Sequence, residues 1–74
     1  MQKLPVMSGH EIIKILSKIG FEAKRQKGSH VIMCKGDITT VVPLHKVVDR
    51  GTLLEIIRQC GMKREEFLEL FDKK

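Results

Sequence analysis

Between Gly20 and Pro43 the chain is cut into three short extended runs, and those cuts leave few folds open to it. Phe21 to Gln26 is the first run, His30 to Lys35 the second and Ile38 to Val42 the third. Gly28-Ser29 and Gly36-Asp37 are dipeptides that turn a chain back within two residues, because glycine reaches positive φ without steric cost. Pro43 stops the third run, since it has no N–H to give to a strand ladder. The spacing predicts a meander of three antiparallel strands. The second run is apolar on both faces, with Val31 and Met33 pointing one way and Ile32 and Cys34 the other. One face must pack on helices. The other is a candidate partner surface, because a monomer seldom exposes a large apolar patch.

Helical signals flank this meander. Ser8-Gly9-His10-Glu11 has the spacing of a capping box, in which a hydroxyl and a carboxylate serve each other's backbone N–H groups. Ile12, Ile15, Leu16 and Ile19 then fall on one helical face. Gly20 is placed to end that helix as a left-handed cap, with Phe21 folding back over it. Downstream, Asp49 is a candidate cap for a second helix, with Gly51 and Thr52 in its first turn. Leu53, Ile56, Ile57 and Cys60 form its apolar stripe, and Gly61 stops it. Arg64 to Phe71 predicts a short last helix with Phe67, Leu70 and Phe71 inward. Glu65 and Glu66 stand near its start, and Lys73 and Lys74 follow its end, as the helix dipole prefers. The expected architecture is α+β in two layers: helix, three strands, helix, short helix.

Seventy-four residues suffice for one domain with a modest core, so residues 1–74 are expected to form a single unit. No apolar run is long enough to cross a bilayer. Met1-Gln2-Lys3-Leu4-Pro5 lacks the apolar stretch of a signal peptide, which makes the cytoplasm the expected location. The two cysteines, Cys34 and Cys60, are too few for a structural zinc site and are expected to be small buried hydrophobes. The acidic residues are scattered, without the clustering that a two-metal nuclease needs, and no glycine-rich nucleotide loop is present. The net charge of +5 is uneven: residues 23–50 carry Lys24, Arg25, Lys27, Lys35, Lys46 and Arg50 against Asp37 and Asp49, and so supply +4 of it. That asymmetry favours an acidic partner.

The candidate chemistry lies at Arg25-Gln26-Lys27-Gly28-Ser29-His30. An imidazole opens a strand just after a turn, with Lys24, Arg25 and Lys27 upstream. Imidazole suits proton transfer near neutral pH, and cations hold a polyanion. RNA can be cut through its own 2′-hydroxyl, which needs a base, an acid and positive charge but no metal. His45 lies on the basic loop from Leu44 to Arg50 and is a candidate contact for phosphate or base. His10, in the first turn of the first helix, reads as a surface or capping residue.

These residues also carry a family likeness. Ser8-Gly9-His10-Glu11-Ile12-Ile13-Lys14-Ile15-Leu16, Gly20-Phe21, Arg25-Gln26-Lys27-Gly28-Ser29-His30, Val42-Pro43-Leu44-His45 and Gly51-Thr52-Leu53-Leu54-Glu55-Ile56-Ile57-Arg58-Gln59-Cys60-Gly61 together resemble the HicA family of messenger-RNA interferase toxins. The resemblance implies a fold like a double-stranded-RNA-binding domain and cleavage of RNA, independent of the ribosome, by the histidine matching His30. It implies neutralisation by a HicB-type antitoxin, and the chemistry read from the residues calls for no cofactor. On this reading Lys24, Arg25, Lys27 and Lys35 steer the RNA, Gly28 and Ser29 admit and bind its backbone, and His45 with Lys46 makes a second contact. Val31-Ile32-Met33 stands where many relatives have an aromatic residue or a second histidine. With no Trp or Tyr in the chain, recognition is expected to lean on shape, 2′-hydroxyls and phosphates. Two other readings stand beside this one: a non-catalytic RNA-binding module using the same basic surface, and a small interaction domain pairing through its apolar sheet face.

Overall fold

The structure is a computed structural model that describes residues 4–72. Its elements run α1 (Gly9–Lys18), β1 (Glu22–Lys27), β2 (His30–Lys35), β3 (Ile38–Pro43), α2 (Arg50–Gln59) and α3 (Arg64–Asp72). The sheet is antiparallel in the order β1-β2-β3. This is the helix–three-strand–helix arrangement of a double-stranded-RNA-binding domain, with a short helix added. No helix among the described residues is long and apolar enough to cross a membrane.

Local chemistry accounts for the element ends. Glu11 donates its backbone N–H to the Ser8 hydroxyl at 3.2 Å, and its carboxylate accepts from the Ser8 N–H at 2.9 Å. Both α1 and α2 end in the same motif. After α1, Gly20 N–H donates to the Ser17 carbonyl and Phe21 N–H to that of Leu16. After α2, Gly61 N–H donates to Arg58 and Met62 N–H to Ile57. The glycines take φ of 100° and 74°, where a Cβ would be strained. At the start of α2, Asp49 accepts from the Thr52 N–H at 2.8 Å, and that bond holds its carboxyl below the ordinary range. Glu66 reaches back to the Lys63 N–H at the start of α3.

Register decides which sheet face is inside. Ala23, Met33 and Thr40 stand in one row and Gln26, Val31 and Val42 in another, both toward the helices. Arg25, Ile32 and Val41 stand on the far face, as do Lys27, His30 and Pro43. Met33 and Val42 are wholly buried, whereas Ile32 and Cys34 are half-buried. Ile12, Leu16, Leu53, Ile56, Ile57 and Phe67 close the core from the helix side. Each such apolar side chain contributes about 1.5–3 kcal/mol. Among the described residues Thr40 is the buried polar side chain, and its hydroxyl donates to the Gln59 amide oxygen at 2.7 Å, tying β3 to α2.

Two expectations change. In α3, Leu68 joins Phe67 in the core, and Leu70 and Phe71 are only half-buried. Leu70 and Phe71 pack against the core from its edge, so the stripe read from the sequence does face inward, and Leu68 is added to it. Lys73 and Lys74 lie outside the described residues. The segment before α1, given no structural role by its pattern, supplies Leu4 and Met7 to the core. It is held by an isolated bridge between Met7 and Val48 and by the Arg50 guanidinium donating to the Leu4 carbonyl at 3.0 Å.

Gly9 is required for a different reason from the turn glycines. A Cβ there would lie 2.0 Å from the Pro43 carbonyl oxygen and 2.9 Å from its carbon, and both are backbone atoms. At Gly36, which has φ of 59°, a Cβ would meet open space. Gly9→Ala is therefore expected to cost about 2–3 kcal/mol through forced backbone movement, and Gly36→Ala only about 1–2 kcal/mol of left-handed strain. Urea denaturation checks this: the midpoint of Gly9→Ala should fall further, and an unchanged midpoint would refute the close approach.

Candidate functional site

The chain's three histidines are spread over its first 45 residues, yet the fold gathers their backbones at one corner. His30 opens β2, opposite Pro43 at the end of β3. Past Pro43, Leu44 N–H donates to the Ser29 carbonyl at 2.6 Å, which brings the following loop against the β1–β2 turn. His45 comes next, and its carbonyl accepts from the Gly9 N–H at 3.0 Å. His10 follows Gly9 in the first turn of α1. The His30 and His45 rings lie 6.4 Å apart between centroids and meet edge to face at 69°. Both side chains are exposed.

The β1–β2 turn is what puts His30 in solvent. Gly28 has φ of 61° with open space where a Cβ would point, and the Gln26 side chain donates to its carbonyl at 3.1 Å. Ser29 is exposed beside it. Lys27 pairs across the ladder with His30, so both leave the same face. Lys46 follows His45 and is exposed. Among the described residues Arg25, Lys27 and Lys46 make no ion pair, so their charge is free for a ligand. Lys24 stands in the β1 bulge and pairs with Glu22 at 3.1 Å. Both side chains of that pair are largely exposed, so a phosphate can displace it at little cost.

Lys35 does not join this corner. It lies at the other end of β2, about 17 Å along the strand from His30, and on the opposite face. Its ammonium sits 5.9 Å from the centre of the Phe21 ring, and its stem runs past Gly20. Strand alternation sends residue 35 to the helix side, and the aromatic face retains the cation there.

His10 is exposed in the first turn of α1, as its reading as a surface or capping residue expects, and it also lines a groove. The helices do not cover the edge strand, so all six residues of β1 are exposed. Its uncovered edge borders an open groove of about 430 Å³ against α1. The groove is lined by His10 and Ile13 of α1, by β1 from Ala23 to Gln26, and by Val31 and Leu44. The one sequence clue was that His10 is the residue after Gly9, whose closeness to Pro43 exists only in the folded chain. Among the described residues no three His, Cys, Asp or Glu side chains converge as a metal site.

The fold class is thus that of a double-stranded-RNA-binding domain carrying an exposed basic, imidazole-bearing corner. The chain belongs to the HicA toxin family: the model for the HicA toxin of bacterial toxin–antitoxin systems matches residues 9–62. That span includes His10, His30 and His45 and the cations Lys24, Arg25, Lys27, Lys35 and Lys46. Comparison with curated proteins gave no match.

The thiols stand apart from this corner. Cys60 is buried at the end of α2, and burial pushes it up to about 11. Cys34 is half-buried, with its sulfur 3.7 Å from the Thr39 hydroxyl. At pH 8 only about one Cys60 in a thousand is thiolate, so an alkylating reagent should label Cys34 first and Cys60 only after denaturation. The folded state holds the Cys60 proton more tightly than the unfolded chain does. Stability is therefore complete below pH 9 and declines as pH climbs toward 11. Cys60→Ala should flatten that decline in thermal melts. A decline of the same depth in both proteins would contradict the assignment.

Proposed function

We propose that this protein is the endoribonuclease toxin of a toxin–antitoxin pair, cutting messenger RNA in the cytoplasm with His30 as a proton-transfer group and no metal. The observation that carries the reading is an exposed imidazole at a turn, facing solvent beside unpaired cations, on an RNA-binding fold. In the reaction, the ribose 2′-hydroxyl loses its proton and attacks phosphorus. The bond to the 5′-oxygen breaks, and that oxygen takes up a proton. The products are a 2′,3′-cyclic phosphate and a 5′-hydroxyl end. Arg25, Lys27 and Lys46 offset charge on the phosphorane. Lys24, Gly28 and Ser29 lie where the RNA backbone passes. The partner is a HicB-type antitoxin, which neutralises the toxin by covering this corner. The far sheet face, with Val41 exposed and Ile32 half-buried, gives it an apolar area to grip.

The test uses wild type and His30→Ala, each purified from a co-expressed complex, shown to fold, and incubated with RNA in chelator. His30→Ala should cut about 10²–10⁴-fold more slowly while still binding RNA, and on induction alone it should leave growth unarrested. If neither protein cuts, the RNA-binding module becomes the better description. Equal growth arrest by both would remove His30 from catalysis. Binding should also weaken with salt, and Lys27→Ala should lower the log–log salt slope by about 0.7–1. Binding that ignores salt would point instead to a protein-interaction domain.

A further inference from the structure

We propose that His45 is the second proton-transfer group of this reaction, acting with His30 from the two sides of one phosphodiester. The inference rests on the cleavage reading above and deepens it, because there His45 has no proton-transfer role.

The chemistry asks for two groups. One proton leaves the 2′-hydroxyl and another reaches the departing 5′-oxygen. In an in-line displacement those oxygens lie on opposite sides of phosphorus. A single imidazole cannot face both. The His30 and His45 rings, with centroids 6.4 Å apart, are too far apart to bond to each other. They are close enough to share a ligand: a hydrogen bond of about 2.6–3.2 Å from each ring to one phosphate puts the two nitrogens about 5–6 Å apart. In one turnover the neutral ring takes the 2′-hydroxyl proton, the 2′-oxygen bonds to phosphorus, and the bond to the 5′-oxygen breaks. The protonated ring gives its proton to that oxygen. Nothing else is consumed.

The spacing is built into the backbone. Ser29 and Leu44 are joined by the 2.6 Å bond and Gly9 and His45 by the 3.0 Å bond, so the loop bearing His45 is clamped between the β1–β2 turn and α1. Lys27 pairs across the ladder with His30 and Lys46 follows His45 in the loop, so a lysine neighbours each histidine along the backbone. His10 lies in the groove with Leu44 and Val31 and has no ring contact with either of the other histidines.

The experiment compares wild type, His30→Ala, His45→Ala and His45→Gln on two versions of one oligoribonucleotide spanning a mapped cleavage site. One is ordinary RNA. In the other, sulfur replaces the 5′-oxygen at that site, and a thiolate leaves without being protonated. His45→Gln keeps a polar side chain at this exposed position, and circular dichroism confirms that each variant is folded. On ordinary RNA, replacing either histidine should slow cutting by about 10²–10⁴-fold, mainly in kcat. On the sulfur substrate one of the two single-site losses should return to within about tenfold of wild type while the other persists, which identifies the acid. The proposal is overturned if the His45 variants cut ordinary RNA at the wild-type rate. It is also overturned if they raise KM with kcat unchanged, or if neither loss recovers with sulfur. A wild type that cuts while His30→Ala cuts equally well refutes the His30 assignment instead. A wild type that cuts nothing removes both.

Discussion

The contact between Gly9 and the end of β3 is the constraint on which the rest of this molecule depends. A side chain at position 9 would collide with the Pro43 carbonyl, so only glycine lets α1 start this close to the sheet. From that start the capping box aims α1 so that Ile12, Ile15 and Leu16 meet the core. The same close approach puts the Gly9 N–H within reach of the His45 carbonyl. The element that completes the core therefore also anchors the loop beside the candidate site. In a domain this small, one backbone contact serves both packing and placement.

The two faces of the sheet divide the labour. The helix-side face holds Met33, Val42 and the Thr40–Gln59 hydrogen bond and accounts for stability. The far face and its turn end hold Arg25, Lys27 and His30, none of which the core requires. Because those side chains are exposed, they can be exchanged without opening cavities, and the fold can carry different site chemistry at small cost in stability. The uncovered edge strand extends this surface round to the groove beneath His10.

Lys35 and His10 show how residue type and folded position separate. Lys35 belongs to the same basic middle of the chain as Lys27, yet one strand's alternation and length carry it to the Phe21 ring. His10 is twenty positions from His30, yet the α1 start brings its backbone to the same corner. Charge counted along a sequence carries no information about which side of a strand a residue leaves. A family likeness transfers a residue type to a position, and the geometry of its neighbours then determines what that residue can reach.

Local signals were legible in the chain without its structure. The Ser8–Glu11 box, the glycine caps after both longer helices, the two hairpin dipeptides and the Asp49 cap each act over six residues or fewer. Their physics needs nothing from the rest of the molecule, and the strand order follows from turns too short to permit any other. His30, as the imidazole after the turn, was legible in the same way. Tertiary structure alone decided that Val31 and Met33 face inward and Ile32 outward, that Leu68 joins Phe67 in the core, that Leu4 and Met7 join it, and that His45 stands across from His30. Each of these depends on contacts between segments far apart in the chain, where either face of an apolar strand or helix would satisfy the local pattern and only packing chooses between them.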